Sequence, residues 1–135
     1  MCYYDTIIAL AHKESTMKTV IKKLALNGHQ ENSNVHVYIS PGDEDLGTLF
    51  VIAEVVGAED QCKKIAKQLI EEAHDNYFNS VARDTEKALE DALQKVNFSI
   101  SELIKNTKKD WLEKSNIVIA SVEDDTVNFS KIGRI

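Results

Sequence analysis

Residues that interrupt regular structure are scarce in this chain, which has one proline and five glycines among 135 residues. Flexible linkers are usually rich in proline, glycine or serine. No such linker, no internal repeat and no low-complexity segment is present. The length suits one domain with one core, so we expect residues 1–135 to form a single domain.

Cysteine and long apolar runs are also scarce. The two cysteines, Cys2 and Cys62, lie outside any Cys-x-x-Cys or Cys/His cluster. Cys62 falls on the apolar side of a predicted helix, where it should pack as a small hydrophobic residue. No apolar run approaches the roughly 20 residues that span a membrane, and the N-terminus lacks the basic segment of a signal peptide. We therefore expect a cytoplasmic protein with no membrane partner.

An excess of positive charge is missing as well, because the formal net charge is −6 at neutral pH. Nucleic-acid binding usually requires a basic face, so we expect no nucleic-acid partner. The four histidines are scattered without the spacing of metal ligands. The composition excludes no enzyme class by itself, but it offers no histidine- or cysteine-based metal site.

Hydrophobic periodicity is what the chain does contain. It predicts strands over residues 5–11, 34–40, 48–55, 116–122 and 126–132, the last two joined by an acidic turn at 123–125. Helices are predicted over 58–78 and over 85–104, the second capped by Asp84 or Thr85. Residues 17–26 fit either a helix or a strand. The predicted fold is α/β (α+β): a five-stranded, mostly antiparallel sheet with two long antiparallel helices on one face.

The most informative stretch runs from Gly47 to Gly57. An apolar strand ends in the carboxylate of Glu54, and Gly57 then turns the chain into the first long helix. This arrangement places an acid at the end of a sheet strand, where a metal or a phosphate could be held. Alternatively, Glu54 is stabilised by the dipole of the helix that follows. Elsewhere, Arg134 could bind an anion, and Asn97 is predicted to be a buried amide within the apolar stripe of the second helix.

This stretch resembles the core motif of the metal-dependent serine/threonine phosphatases (PPM family, type 2C). In that family a strand reading roughly Leu-Phe-Val-Val-Ala-Asp-Gly ends in a metal-binding aspartate, at the position of Glu54 here. The segment from Gly28 to Asn34 is similar to the family's Gly-x-x-Arg-x-x-Asn-Glu-Asp, and residues 88–100 are similar to its second helix. Residues 115–120 and 127–134 take the places of its next two strands. The resemblance covers roughly residues 19–135, the N-terminal half of the family's domain.

The resemblance also implies a degenerate metal site. Glutamate occupies the bridging position at residue 54, and the neutral Asn34 stands near a place where the family has an acid. The family's other metal ligands lie in a second half that this chain lacks. We therefore expect no catalytic residue, no bound metal and no cofactor.

Two functions follow from the resemblance. The first is a non-catalytic, pseudophosphatase binding or assembly module in signalling. The alternative is an enzyme, a phosphatase dependent on Mg²⁺ or Mn²⁺ that acts once a partner chain supplies the missing C-terminal half. In both cases the sheet would expose an apolar face, so we expect a homo-oligomer or a complex with the chain that supplies the second half.

Overall fold

The computed structural model describes residues 7–13, 19–25, 33–107 and 110–133. The chain divides into two compact units, residues 1–31 and residues 32–135. The first unit contains an antiparallel hairpin of β1 (Ile7–Lys13) and β2 (Thr19–Ala25). Residues 19–25 are thus a strand and not a helix. That the chain forms one domain stays a prediction.

The second unit is built on a four-stranded antiparallel sheet in the order β3-β4-β5-β6. Its strands are β3 (Ser33–Ile39), β4 (Thr48–Val56), β5 (Asn116–Glu123) and β6 (Thr126–Gly133). The fold class is confirmed. The prediction of five strands in this sheet is wrong, because the sheet has four strands, and β1 and β2 pair with each other in the first unit. A two-residue turn joins β5 to β6, and Asp124 adopts the left-handed conformation there (φ 47°), which aspartate tolerates better than most residues.

Two long helices, α1 (Glu59–Phe78) and α2 (Thr85–Asn106), follow β4 in the chain. The Asp84 side chain accepts a hydrogen bond from the Lys87 backbone N–H at 2.9 Å, which confirms the predicted N-cap. A third, five-residue helix, α3 (Asp110–Lys114), was not predicted. One and a half turns are too short to show a helical period, although its Trp111 is buried.

The core lies between the helices and one face of the sheet. Along β4, alternate residues from Leu49 to Val55 are fully buried against the helix pair, as the two-residue period of a strand requires. Cys62 is buried, as predicted. The helical side chains in this cluster share the three-or-four spacing of one stripe on each helix. They are Cys62, Ile65, Ala66, Leu69, Ala73 and Tyr77 from α1, and Ala88, Leu89, Ala92, Val96 and Ile100 from α2.

The prediction of a buried amide in α2 is wrong, because Asn97 is exposed. Successive helix residues are separated by about 100°, so Asn97 points well away from its buried neighbour Val96. The polar residues of α2 that are buried are Thr85 and Ser99. Leu93 is only partly buried and packs at the margin of the core.

The loop between β3 and β4 is fastened to the turn between α1 and α2. The buried hydroxyl of Tyr77 donates a 2.6 Å hydrogen bond to the carbonyl oxygen of Leu46. Burial raises the pKa of this tyrosine. Arg83 adds ion pairs to Asp43 at 3.1 Å and to Asp45 at 2.9 Å. These contacts fix the helix hairpin relative to one end of the sheet.

Candidate functional site

The carboxylate of Glu54 lies near the end of β4, on the face of the sheet opposite the helices. Its neighbours Ala53 and Val55 are fully buried in the core, so alternation directs Glu54 to the other face. Its Oε2 accepts a hydrogen bond from Asn116 Nδ2 at 3.0 Å. The first turn of α1 carries its own acids, Glu59 and Asp60. The hydrogen bond from Asn116 therefore joins Glu54 to the neighbouring strand.

Asn116 stands directly opposite Glu54 on β5 and directly opposite Gly133 on β6. Gly133 has a positive φ of 116°, and a Cβ added there would overlap the Ser115 carbonyl oxygen. The glycine thus allows β6 to approach this end of β5 closely. The Oδ1 atom of Asn116 is buried and has no hydrogen-bond partner among the described residues. Asn116 could not be recognised from the sequence as a partner of Glu54, because the pairing of β4 with β5 joins residues 62 apart in the chain.

Gly57 follows β4 immediately and has a φ of 153°. That conformation is unfavourable for other residues, although a Cβ there would meet only Cys62 Sγ at 3.5 Å. The predicted role of Gly57 in turning the chain toward α1 agrees with its position.

The remaining predicted site residues are not brought to Glu54 by any described contact. On β3, the Asn34 backbone is paired with Val55, and the Asn34 side chain lies outside the described part of the structure. Arg134 lies outside the described residues altogether. Within the ranges described, no group of three or more His, Cys, Asp or Glu side chains is arranged to hold a metal ion. Asn116 and Glu54 form a polar pair, which is a smaller donor set than Mg²⁺ or Mn²⁺ requires.

Calorimetric titration of the chain with Mn²⁺ is therefore expected to show no tight binding. One carboxylate beside one amide supplies too few hard oxygen ligands for two adjacent ions. The Glu54→Gln variant serves as the matched control, and its titration should be indistinguishable from that of the parent. Two ions bound per chain with micromolar affinity, lost in Glu54→Gln, would contradict the expectation and support an intact metal site.

The larger feature on this side of the molecule is the apolar face that surrounds Glu54. The strand register places one residue in two from each strand on this face. Phe129 and Val127 of β6 are 72% and 56% exposed. The apolar members are Val35, Val37, Ile39, Phe50, Ile52, Val56, Val118, Ala120, Val122, Val127 and Phe129. We refer to this set as the apolar sheet face.

Charged residues are few on the apolar sheet face. Among its described positions, Glu54 and Lys131 are the charged side chains, with Lys131 opposite Val118. The two charges cancel, although the whole chain carries a net charge of −6. The face can therefore meet a second copy of itself without the repulsion that the rest of the surface would cause.

Comparisons of the chain with protein-family models, with curated proteins and with solved structures found no match in any of the three. In the part of the chain that the structure describes, none of the helices is both long enough and apolar enough to cross a membrane.

Proposed function

We propose that this chain is a non-catalytic, phosphatase-like assembly module that pairs with a second copy through the apolar sheet face. The observation that carries the proposal is the apolar sheet face, on which Phe129 and Val127 of β6 are exposed, whereas Phe50 of β4 is only 8% exposed. Contiguous apolar surface beyond a few hundred Å² usually marks an interaction site. The opposite face of the same sheet is already covered by α1 and α2. Self-pairing would thus bury the sheets of both copies between their two helix layers.

Charge favours a second copy over a strongly charged partner. A two-fold axis brings the same patch of each copy together. The acid of one copy can then pair with the base of the other, and the base with the acid. Glu54 of one protomer then has Lys131 of its partner as an available counter-ion. A strongly basic or acidic partner would find no net charge of the opposite sign on this face.

The expected interface is small. Four strands about 4.8 Å apart, each contributing about seven residues at about 3.4 Å per residue, give a footprint of about 450 Å². Two such footprints bury about 900 Å², near the lower limit of about 1,000 Å² for specific interfaces. We therefore expect a dimer that dissociates at low concentration.

The second candidate is a metal-dependent phosphatase completed by another chain, and it rests on the strand-end pair of Glu54 and Asn116. The Oδ1 of Asn116, which has no hydrogen-bond partner in the described part of the chain, is an acceptor that a cation could use beside the carboxylate. In that case the partner would supply the missing ligands, and the isolated chain would stay monomeric. The oligomeric state of the isolated chain thus separates the two candidates.

Sedimentation equilibrium over a micromolar to millimolar concentration range tests the assembly proposal. The parent should shift from monomer to dimer as concentration rises, and Phe129→Asp should remain monomeric, because it replaces an exposed apolar side chain of the contact with a charge. Phe98→Asp is the matched control. It introduces the same change at a similarly exposed phenylalanine, 63% exposed on α2, and should dimerise like the parent.

The proposal fails if the parent remains a monomer at millimolar concentration. It also fails if Phe98→Asp and Phe129→Asp weaken the dimer equally. Circular dichroism of both variants shows whether the fold is retained, and at such exposed positions no loss of helical signal is expected.

A further inference from the structure

A groove of about 720 Å³ opens at the turn between α1 and α2, on the helical side of the second unit. Its volume falls within the range of roughly 300–1,000 Å³ that is typical of ligand sites. One wall is α2, where residues 87, 91, 94, 95 and 98 follow the helical spacing of a single face. The other wall is the end of α1 with the turn, from residue 76 to residue 82. The groove uses none of the residues of the apolar sheet face.

Two large apolar side chains line the groove and are exposed to solvent. Val81 on the turn is 96% exposed, and Phe98 on α2 is 63% exposed. A ligand with its own apolar side chain would remove both from water, which is favourable by roughly 25 cal/mol for each Å² buried. The turn and the helix therefore provide an apolar contact within an otherwise polar groove.

The charge of the groove is opposite to that of the whole chain. Lys87 and Lys95 against Asp91 give a net charge of +1, whereas the chain carries −6. Lys87 is held by Asp91 at 3.1 Å and by Glu90 at 3.2 Å. The hydroxyl of Ser80 and the ammonium of Lys87 keep the pKa of Asp91 below its usual value. Lys95 has no ion pair with any described residue, so its charge remains available to an acidic ligand.

Two primary amides complete the groove, Asn79 on the α1 wall and Gln94 on the α2 wall. Neither side-chain amide has a hydrogen-bond partner among the described residues. Each amide offers two donors and one acceptor, which is the combination that the backbone of an extended peptide requires. A simple anion would use the donors alone and would leave the apolar contact empty.

We propose that this groove binds a short extended peptide in which an acidic residue lies beside a large apolar residue. The acidic side chain pairs with Lys95, the apolar side chain packs on Phe98 and Val81, and the peptide backbone bonds to Asn79 and Gln94. This peptide site lies beyond the assembly proposed above and does not depend on it.

The test uses ¹⁵N-labelled full chain and the synthetic peptide Gly-Ser-Asp-Leu-Glu-Phe-Ser-Gly, with its termini blocked. The side-chain amide signals of Asn79 and Gln94 should shift saturably as the peptide is added. Fluorescence anisotropy of the labelled peptide should report the same affinity, and added salt should weaken it. A peptide with Lys in place of Asp and Glu should not bind, and free glutamate should not compete.

Variants assign the binding to the groove. Lys95→Glu should weaken binding about tenfold or more, whereas Lys64→Glu, the same change at an exposed position of α1 outside the groove, should change it less than about twofold. Phe98→Ala should weaken binding, and Phe129→Ala should not.

Three results would overturn the peptide site. They are no saturable shift of the two amides at millimolar peptide, equal binding by Lys95→Glu and the parent, or shifts that map to the apolar sheet face. Amide shifts that depend on protein concentration without peptide would identify a second copy as the occupant and reject the peptide. Phe129→Asp separates this proposal from the assembly proposal, because it should abolish the dimer and leave peptide binding unchanged.

Discussion

Replacing Leu69 by alanine should destabilise the protein by roughly 2–5 kcal/mol, which is a large share of the stability of a domain this size. Leu69 is fully buried in the middle of α1, and it belongs to the cluster formed by both helices and the sheet. The substitution removes buried methyl groups and leaves a cavity that the packed helices cannot close completely. Urea unfolding followed by circular dichroism should show a lower midpoint with an unchanged slope.

Leu93→Ala is the comparison within the same helix pair. Leu93 is only partly buried at the margin of the core, so the same truncation should cost about 1 kcal/mol. Similar losses at the two positions would contradict the described orientation of α2. Parent-like unfolding of Leu69→Ala would show that α1 does not pack as described.

The helices and strands were predictable where a periodic pattern is long. The stripe of α1 extends over about four turns, and β4 is an apolar run of a length typical of a strand, so both were located to within a few residues. The cap was predicted as Asp84 or Thr85, because short polar side chains are favoured directly before a helical stripe, and the structure shows that it is Asp84. The periodicity did not resolve one position from the next within a stripe, which is why the orientation of Asn97 was missed.

The partners across the sheet were not predictable. The pairing of β5 with β6 follows from a two-residue turn. The pairing of β4 with β5 depends instead on how the long helices between them bring the chain back to the sheet. Asn116 therefore became visible as the partner of Glu54 only in the structure. Likewise, two phenylalanines, Phe98 and Phe129, lie on opposite sides of the second unit. Local patterns identify elements, whereas contacts between distant elements define a site.

The sheet itself depends on one glycine in the loop before β4, and Gly47→Ala should destabilise the protein by roughly 2–6 kcal/mol. Gly47 has a φ of 63°, and a Cβ there would overlap the carbonyl group of Val122 on β5. The left-handed conformation costs a non-glycine residue roughly 1–3 kcal/mol, and overpacking against backbone adds roughly 1–3 kcal/mol. Because Gly47 and Asp43 also exchange two backbone hydrogen bonds, the loop cannot move without losing them.

Gly42→Ala, in the same loop, is the control. A Cβ at position 42 would meet only Thr48 Oγ1 at 3.8 Å, so this change should leave the urea midpoint unaltered or slightly raise it by restricting the unfolded chain. Both variants add one methyl group to the same loop, so any difference between them reports the close approach of Gly47 to β5. Equal stability of the two variants would mean that the β3–β4 loop does not lie against β5. The described position of that loop, including its contacts with Tyr77 and Arg83, would then be wrong.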